Sequence, residues 1–252
     1  MPTVHFLGKV LPGVVQVSLG HKPIVKWEAP DVGLSMEFTN HITNSQVDVE
    51  CKLNRYSSED FMPVYMRAFD ICRASVGLAS FAMGYGLTVV LETFVDPGGS
   101  KSTILAKDES LASLCTAFTL TKGFDEVHTM VLQNWPLFHA LNDLIEAITV
   151  PHVSPVNCGR VVERLRELIA SPGSNRKNAW KEMRDALQVD EAYLKFITDH
   201  SVDPRHGLPV HVPGSVTTEV IRRAWTIMNR YFDYRKNGGK PLSGKSFPLL
   251  TG

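Results

Sequence analysis

The sequence predicts an α+β protein, with an antiparallel sheet in its first part and a bundle of helices in its second. Before about residue 106, apolar residues recur at every second position in several windows, the pattern of strands with one buried and one wet face. After about residue 110, they recur at the three- and four-residue spacing of amphipathic helices. We therefore predict a β-rich sensing or docking domain at 1–108, a helical bundle at 109–239 and an extended tail at 240–252.

The clearest strand pattern is at 47–53, where Val47, Val49, Cys51 and Leu53 alternate along the chain with polar residues. The same alternation predicts strands at 15–19 and 34–39, with a turn at 40–44. The composition of Asp96-Pro97-Gly98-Gly99 predicts a hairpin that pairs 87–95 with 103–106.

One helix, predicted from about Ser58 to Met83, interrupts the strands and should cover one face of the sheet. Its second half begins an uncharged run from Ala74 to Leu91, which approaches the length of a membrane span. Because Gly84-Tyr85-Gly86 breaks the run, a buried helix followed by a buried strand is the preferred interpretation. We predict no association with a membrane.

The second part contains a series of helices joined by short links, which predicts an antiparallel bundle. The first apolar stripe runs from Phe124 to Ile148, and Pro136 is expected to kink or restart it. The later helices are predicted at 157–170 with Asn157 as cap, at 176–188, in a shorter piece after Asp190, and from Ser215 to Asn237.

The composition is that of an ordinary globular protein, with 44% hydrophobic and 21% charged residues and a net charge of zero. The four cysteines stand far apart in apolar contexts, as expected of buried thiols in a reducing cytoplasm. No cysteine or histidine cluster has metal-ligand spacing, so we predict no metal and no cofactor. The neutral total conceals an asymmetry, because residues 201–252 carry eight basic and three acidic residues.

The usual enzymatic motifs are absent: the sequence has no GxGxxG opening a helix, no GxxxxGK[ST], no HExxH and no GxSxG. The exception to this plain pattern is the stretch from His200 to His211, which holds three of the nine histidines. Its proline and glycine residues predict a loop between two helices, where side chains can reach a ligand.

An arginine beside histidines at a helix entrance suits a phosphodiester. The guanidinium can hold non-bridging oxygens, and a histidine can move protons to and from a reacting hydroxyl. Arg205, His206 and His211 are the candidate catalytic residues, and Arg222, Arg223 and Arg230 on the last helix are the candidate ligand-binding residues. This arrangement requires no metal.

An arginine and a histidine separated by five residues before the last helix of a bundle, with a polar residue after the arginine, resembles the HEPN superfamily of prokaryotic toxin and defence proteins. Here Arg205 and His211 enclose five residues, His206 is the polar follower, and the likeness extends over about 124–237. The resemblance implies metal-independent RNA cleavage at a site shared across a homodimer formed through the bundle. It also implies that an inactive member would serve as a binding scaffold.

Two interpretations of these residues remain open. In the first, the chain is a bacterial-type, RNA-binding or RNA-cleaving protein. In the second, it is a non-enzymatic dimeric scaffold that binds a ligand on the open face of its sheet, and Arg205 is a buried salt-bridge partner of Asp199 or Asp203. The aromatic residues of the last helix either stack on bases or pack in the core.

Overall fold

The computed structural model describes residues 1–20, 24–30, 32–105, 109–206 and 212–252. The chain divides into two compact units, at 1–105 and 106–252. The first is built on an antiparallel sheet and the second on helices, so the predicted α+β class is confirmed. Within the described residues, no helix combines the length and apolar character that crossing a bilayer requires.

A six-stranded antiparallel sheet forms the first unit, in the spatial order β2-β3-β4-β1-β5-β6. Its strands are β1 (Thr3–Leu11), β2 (Ile24–Ala29), β3 (Leu34–Thr43), β4 (Gln46–Leu53), β5 (Thr88–Val95) and β6 (Lys101–Thr103). The β5–β6 pair forms a hairpin at the predicted turn, but its second strand is 101–103 and not the predicted 103–106.

Helix α1 (Phe61–Met83) lies against one face of this sheet. Phe6 of β1 is fully buried, and its ring lies 6.2 Å from that of Phe61 and 6.0 Å from that of Tyr65. Before the helix, the Asp60 carboxylate accepts a hydrogen bond from the Ser57 amide at 2.7 Å. The helix ends at Gly84, whose left-handed backbone favours glycine.

Three local predictions for the first unit are wrong. Residues 15–19 form no strand and make one isolated bridge, between Leu19 and Ile42. Strand β3 continues through the predicted turn, because the chain reverses at Asn44-Ser45, both with positive φ. The second half of α1 is uncharged without being buried, since Leu78 is 72% and Phe81 89% exposed.

The second unit contains seven helices in its described part. They are α2 (Glu109–Leu114), α3 (Phe124–Leu132), α4 (Trp135–Thr149), α5 (Ser154–Ile169), α6 (Arg176–Leu187), α7 (Glu191–Arg205) and α8 (Gly214–Lys236). The predicted restart at Pro136 is present, because α3 and α4 are separate and Asn134 caps α4.

Helix α5 lies at the centre of this unit, packed against α4, α6, α7 and α8. Val161, Val162 and Leu165 of α5 are fully buried, as are Ile197 of α7 and Tyr231 of α8. A helix enclosed on several sides needs apolar residues around most of its circumference, and the charged residues of α5 are left to the remaining strip.

Two helix boundaries differ from expectation. Asn157 lies inside α5, which begins at Ser154, and donates a hydrogen bond to Glu146 instead of capping the helix. The segment after Asp190 is a full helix of 15 residues and includes His200 to Arg205, which the sequence placed in a loop. The tail has no helix of its own but is docked, with Leu242 buried and its amide bonded to the Ala186 carbonyl.

Candidate functional site

The candidate site begins at the carboxyl end of α7. The Asp190 carboxylate caps the other end of this helix by accepting a hydrogen bond from the Tyr193 amide at 2.7 Å. The apolar side chains of α7 pack into the core, and the helix then carries Arg205 as its last residue. Arg205 is thus presented by a packed helix and not by the predicted loop.

Two side chains hold the Arg205 guanidinium. Its Nη1 donates to Oε2 of Glu163 at 2.9 Å, and its Nη2 donates to the Ser201 hydroxyl at 2.7 Å. The ion-pair partner is therefore a residue of α5, and not Asp199 or Asp203. The Arg205 side chain is 29% exposed, so a ligand can approach it from solvent.

Arg205 lies where α5 and α7 approach closely. A Cβ atom added to Gly159 of α5 would overlap the side chain of Ser201 and lie 3.1 Å from Nη2 of Arg205. Glycine at this position lets the two helix backbones meet, which brings the Ser201 hydroxyl under the guanidinium.

His206 follows Arg205 at the end of α7, and its side chain is exposed. Its backbone amide donates to the carbonyls of Val202 and Asp203, which closes the last turn of the helix. His211 lies outside the described residues, so the structure gives no position for it. Of the three candidate catalytic residues, the structure brings Arg205 and His206 together by sequence adjacency at one helix end.

The candidate ligand-binding residues Arg222 and Arg223 are engaged within α8. Both donate from Nε to Glu219, at 2.7 and 2.6 Å respectively. These hydrogen bonds, first of all the one from Arg222, lower the pKa of the Glu219 carboxyl. Arg223 also lies over the ring of Phe196, 4.2 Å from its centroid, which places it between α8 and α7.

Arg230 is a structural residue in this fold. It is 7% exposed and donates to the carbonyl oxygens of Leu187, Gln188 and Pro248 at 2.6 to 2.8 Å. Burial also lowers the pKa of its guanidinium. Because its donors face backbone carbonyls inside the protein, Arg230 is not presented to a ligand, contrary to the prediction.

A further group of arginines was missed by the sequence analysis. A surface depression of about 310 Å³ on α5 is lined by Arg160, Glu163, Arg164, Arg166 and Glu167. The sequence does show five charged residues within the eight positions 160–167 of a predicted helix, and this cluster could have indicated the group. Glu163 belongs both to this depression and to the Arg205 ion pair, so the two features adjoin.

A second depression, of about 480 Å³, lies on the face of the sheet that α1 leaves open. Its lining includes His41, Asp48 and Glu92, and the Asp48 carboxylate is 2.9 Å from Nδ1 of His5. Over the described residues, no cluster of three or more histidine, cysteine, aspartate or glutamate side chains is arranged to hold a metal ion.

The fold and these sites define a two-unit α+β protein whose helical unit carries an arginine-rich surface at the meeting of α5 and α7. Residues 4–105 match the family model of the N-terminal domain of DUF8168, a domain of unknown function, and residues 124–236 match that of its C-terminal domain. The boundary between the two models falls in the same region as the boundary between the two units. No curated protein and no solved structure matches the chain.

Proposed function

We propose that the helical unit is a HEPN-like module that binds RNA and cleaves it without a metal, using the carboxyl end of α7. The observation that carries this proposal is the Arg205 guanidinium, which is partly exposed, oriented by Ser201 and paired with a carboxylate. A guanidinium that holds a carboxylate also has the geometry to hold a phosphate. His206, the next residue, is exposed and of the type that transfers protons near neutral pH.

The chemistry needs few groups. His206 would take the proton of a ribose 2′-hydroxyl while the hydroxyl oxygen forms a bond to the adjacent phosphorus. The bond from phosphorus to the 5′-oxygen then breaks, and that oxygen receives a proton from a general acid, a role that falls to His211 in the HEPN resemblance. Arg205 would hold the non-bridging oxygens and stabilise the charge that develops on them.

The packing around Arg205 supports this role. Ser201 holds Nη2 while Glu163, itself 27% exposed, holds Nη1. Arg176 lies 3.8 Å from the other oxygen of Glu163, so the carboxylate keeps a cationic partner when a phosphate takes its place on Arg205. Exchange of one anion for another at a partly exposed guanidinium costs little, because exposed ion pairs contribute about 1 kcal/mol or less.

The setting we propose is a cytoplasmic protein of a bacterial toxin or defence system that forms a homodimer through its helical bundle. The HEPN resemblance supplies these elements, since a shared site across two subunits accompanies that chemistry. Dimerisation is tested by the mass of the purified chain in solution, and one chain per particle at micromolar concentration would contradict it.

The second candidate is a non-enzymatic dimeric scaffold that binds a ligand on the open face of the sheet. The depression lined by His41, Asp48 and Glu92 favours it, since small-molecule sites are concave, of this size, and carry a few polar groups that orient the ligand. The internal contacts of Arg205 and Arg230 also fit a purely structural role for these arginines.

Cleavage of labelled RNA by the purified chain in excess EDTA separates the two candidates. We expect the wild-type chain to cut, and His206→Gln to lose most of the activity without a change in melting temperature. His200→Gln is the matched control, because His200 lies on the same helix with its ring packed against Phe196. If the wild-type chain neither cuts nor binds RNA, the nuclease proposal is wrong and the scaffold interpretation is favoured.

A further inference from the structure

We infer that the depression on α5 is a phosphate-binding subsite, distinct from Arg205 and adjoining it. Its walls are the side chains of Arg160, Arg164 and Arg166, with two glutamates between them. The inference deepens the proposed function and rests on it for one point, the identification of the phosphate as part of an RNA backbone.

The charges of the two glutamates in the depression are already compensated. Glu163 lies between Arg205 and Arg176, at 2.9 and 3.8 Å. Glu167 accepts hydrogen bonds from both Nε and Nη2 of Arg166. Neither carboxylate is therefore left to neutralise the remaining arginines of the depression.

The two remaining arginines differ in what they hold. Arg164 donates from Nε to Asp143 at 3.1 Å, which neutralises it. Arg160 is exposed and has an uncharged partner, the amide oxygen of Asn157 at 3.4 Å. Among the described residues, Arg160 is thus the arginine of the depression with no carboxylate partner, and an anion in the depression would balance its charge.

Arg166 supplies the second observation. The residue is 8% exposed, it lies against Trp180 with its guanidinium carbon 4.8 Å from the ring centroid, and it lines the depression. Its Nη1 is buried and has no hydrogen-bond acceptor among the described residues. Because an unpaired buried donor is costly, Arg166 gains a hydrogen bond if its guanidinium turns toward an anion in the depression.

A phosphate fits these requirements better than a carboxylate does. A phosphate presents several acceptor oxygens around one centre, so it can accept hydrogen bonds from more than one arginine, and arginine is well suited to bind it. Glu167 is 66% exposed on its side chain, so it can move aside at little cost and leave Nε and Nη2 of Arg166 to the phosphate.

The first arm of the test uses inorganic phosphate alone. Arginine Nε resonances of the isotope-labelled full chain are followed by NMR as phosphate is added. We expect saturable shifts at Arg160 and Arg166, about tenfold weaker binding in Arg160→Gln and tighter binding in Glu167→Gln. Arg235→Gln, which removes an exposed arginine of α8, is the control and should bind as the wild type does. Equal weakening in both arginine variants, or shifts without saturation, would overturn the subsite.

The second arm uses single-stranded RNA and tests its path. If the backbone crosses the depression, Arg160→Gln should reduce the salt dependence of RNA binding by about 0.7 in the log–log slope, the value for one phosphate contact. An unchanged slope with weakened phosphate binding would assign the subsite to a free phosphate compound and overturn the RNA path. A failure of the proposed nuclease function leaves the phosphate arm unaffected, so the two failures are distinguishable.

Discussion

Nη1 of Arg205 lies 2.9 Å from Oε2 of Glu163, and this ion pair joins the end of α7 to the middle of α5. The other oxygen of Glu163 lies 3.8 Å from Arg176 at the start of α6. One carboxylate therefore connects three helices and also occupies the guanidinium that we assign to RNA. This double role allows stability and RNA binding to change in opposite directions.

Replacing Glu163 by glutamine should separate these two effects. The variant loses a partly exposed ion pair, so its free energy of unfolding should fall by about 0.5–1 kcal/mol. RNA should bind more tightly, because the phosphate no longer competes with a carboxylate for Arg205. Urea unfolding and fluorescence titration with labelled RNA measure the two quantities. Weaker RNA binding by Glu163→Gln would contradict the assignment.

Gly159→Ala should destabilise the helical unit. The new methyl group would overlap Ser201 and force α5 and α7 apart, at a cost of about 1–3 kcal/mol in unfolding free energy. Gly77→Ala is the matched control, since Gly77 lies inside α1 and an added Cβ meets nothing within 4 Å. That change should be neutral or stabilising by about 0.5–1 kcal/mol. Equal effects of the two substitutions on thermal unfolding would show that the helix contact is looser than described.

Arg230→Met should release the tail from the bundle. It leaves the carbonyls of Leu187, Gln188 and Pro248 without their donor, and we expect a loss of about 2–4 kcal/mol. Limited proteolysis should then cut within 240–252 before the bundle is attacked. Arg235→Met, at the exposed end of the same helix, is the control. A variant with wild-type stability and weakened RNA binding would restore Arg230 as a ligand-binding residue.

The cysteines should react very unequally with a thiol reagent at pH 8. Burial raises the pKa of Cys51, Cys72 and Cys158 to about 12, so these thiols stay protonated far above the working pH. Cys115 is only partly buried, and its pKa is raised less. Colorimetric titration of the folded chain should therefore show Cys115 reacting first and all four reacting in denaturant. Fast reaction of Cys158 in the folded chain would contradict the described core.

The fold class was predictable because each part has a single dominant hydrophobic period. The local predictions that were wrong concern segments whose conformation is set by tertiary contacts and not by the hydrophobic period. The alternation at 15–19 occurs in a segment that pairs at one point, Leu19 with Ile42. The helix after Asp190 was predicted too short, because Pro204 and Gly207 suggested a loop. In the structure α7 continues through Pro204 to Arg205, although a proline inside a helix loses one backbone hydrogen bond.

The candidate site was predictable in part. The excess of basic residues in 201–252 supported Arg205 as a candidate. Charge counts do not show which arginines are used in contacts inside the protein. Arg230 donates its hydrogen bonds to backbone carbonyls, and Arg222 donates to Glu219. The first set of contacts depends on tertiary packing, and the second depends on side-chain rotamers within α8. The arginines of α5 were missed because glutamates lie among them in the sequence, and only the structure shows that the partner of Arg160 is the uncharged Asn157.

Cleavage of an RNA and of its fully 2′-deoxy counterpart, in excess EDTA, tests the central claim most directly. The account predicts that the wild-type chain cuts the RNA, leaves a 2′,3′-cyclic phosphate and spares the deoxy strand, because the attacking hydroxyl is absent there. It also predicts that His206→Gln abolishes the cyclic product while the chain remains folded. Undiminished cleavage by His206→Gln, or equal cleavage of both strands, would contradict the assignment of chemistry to the end of α7.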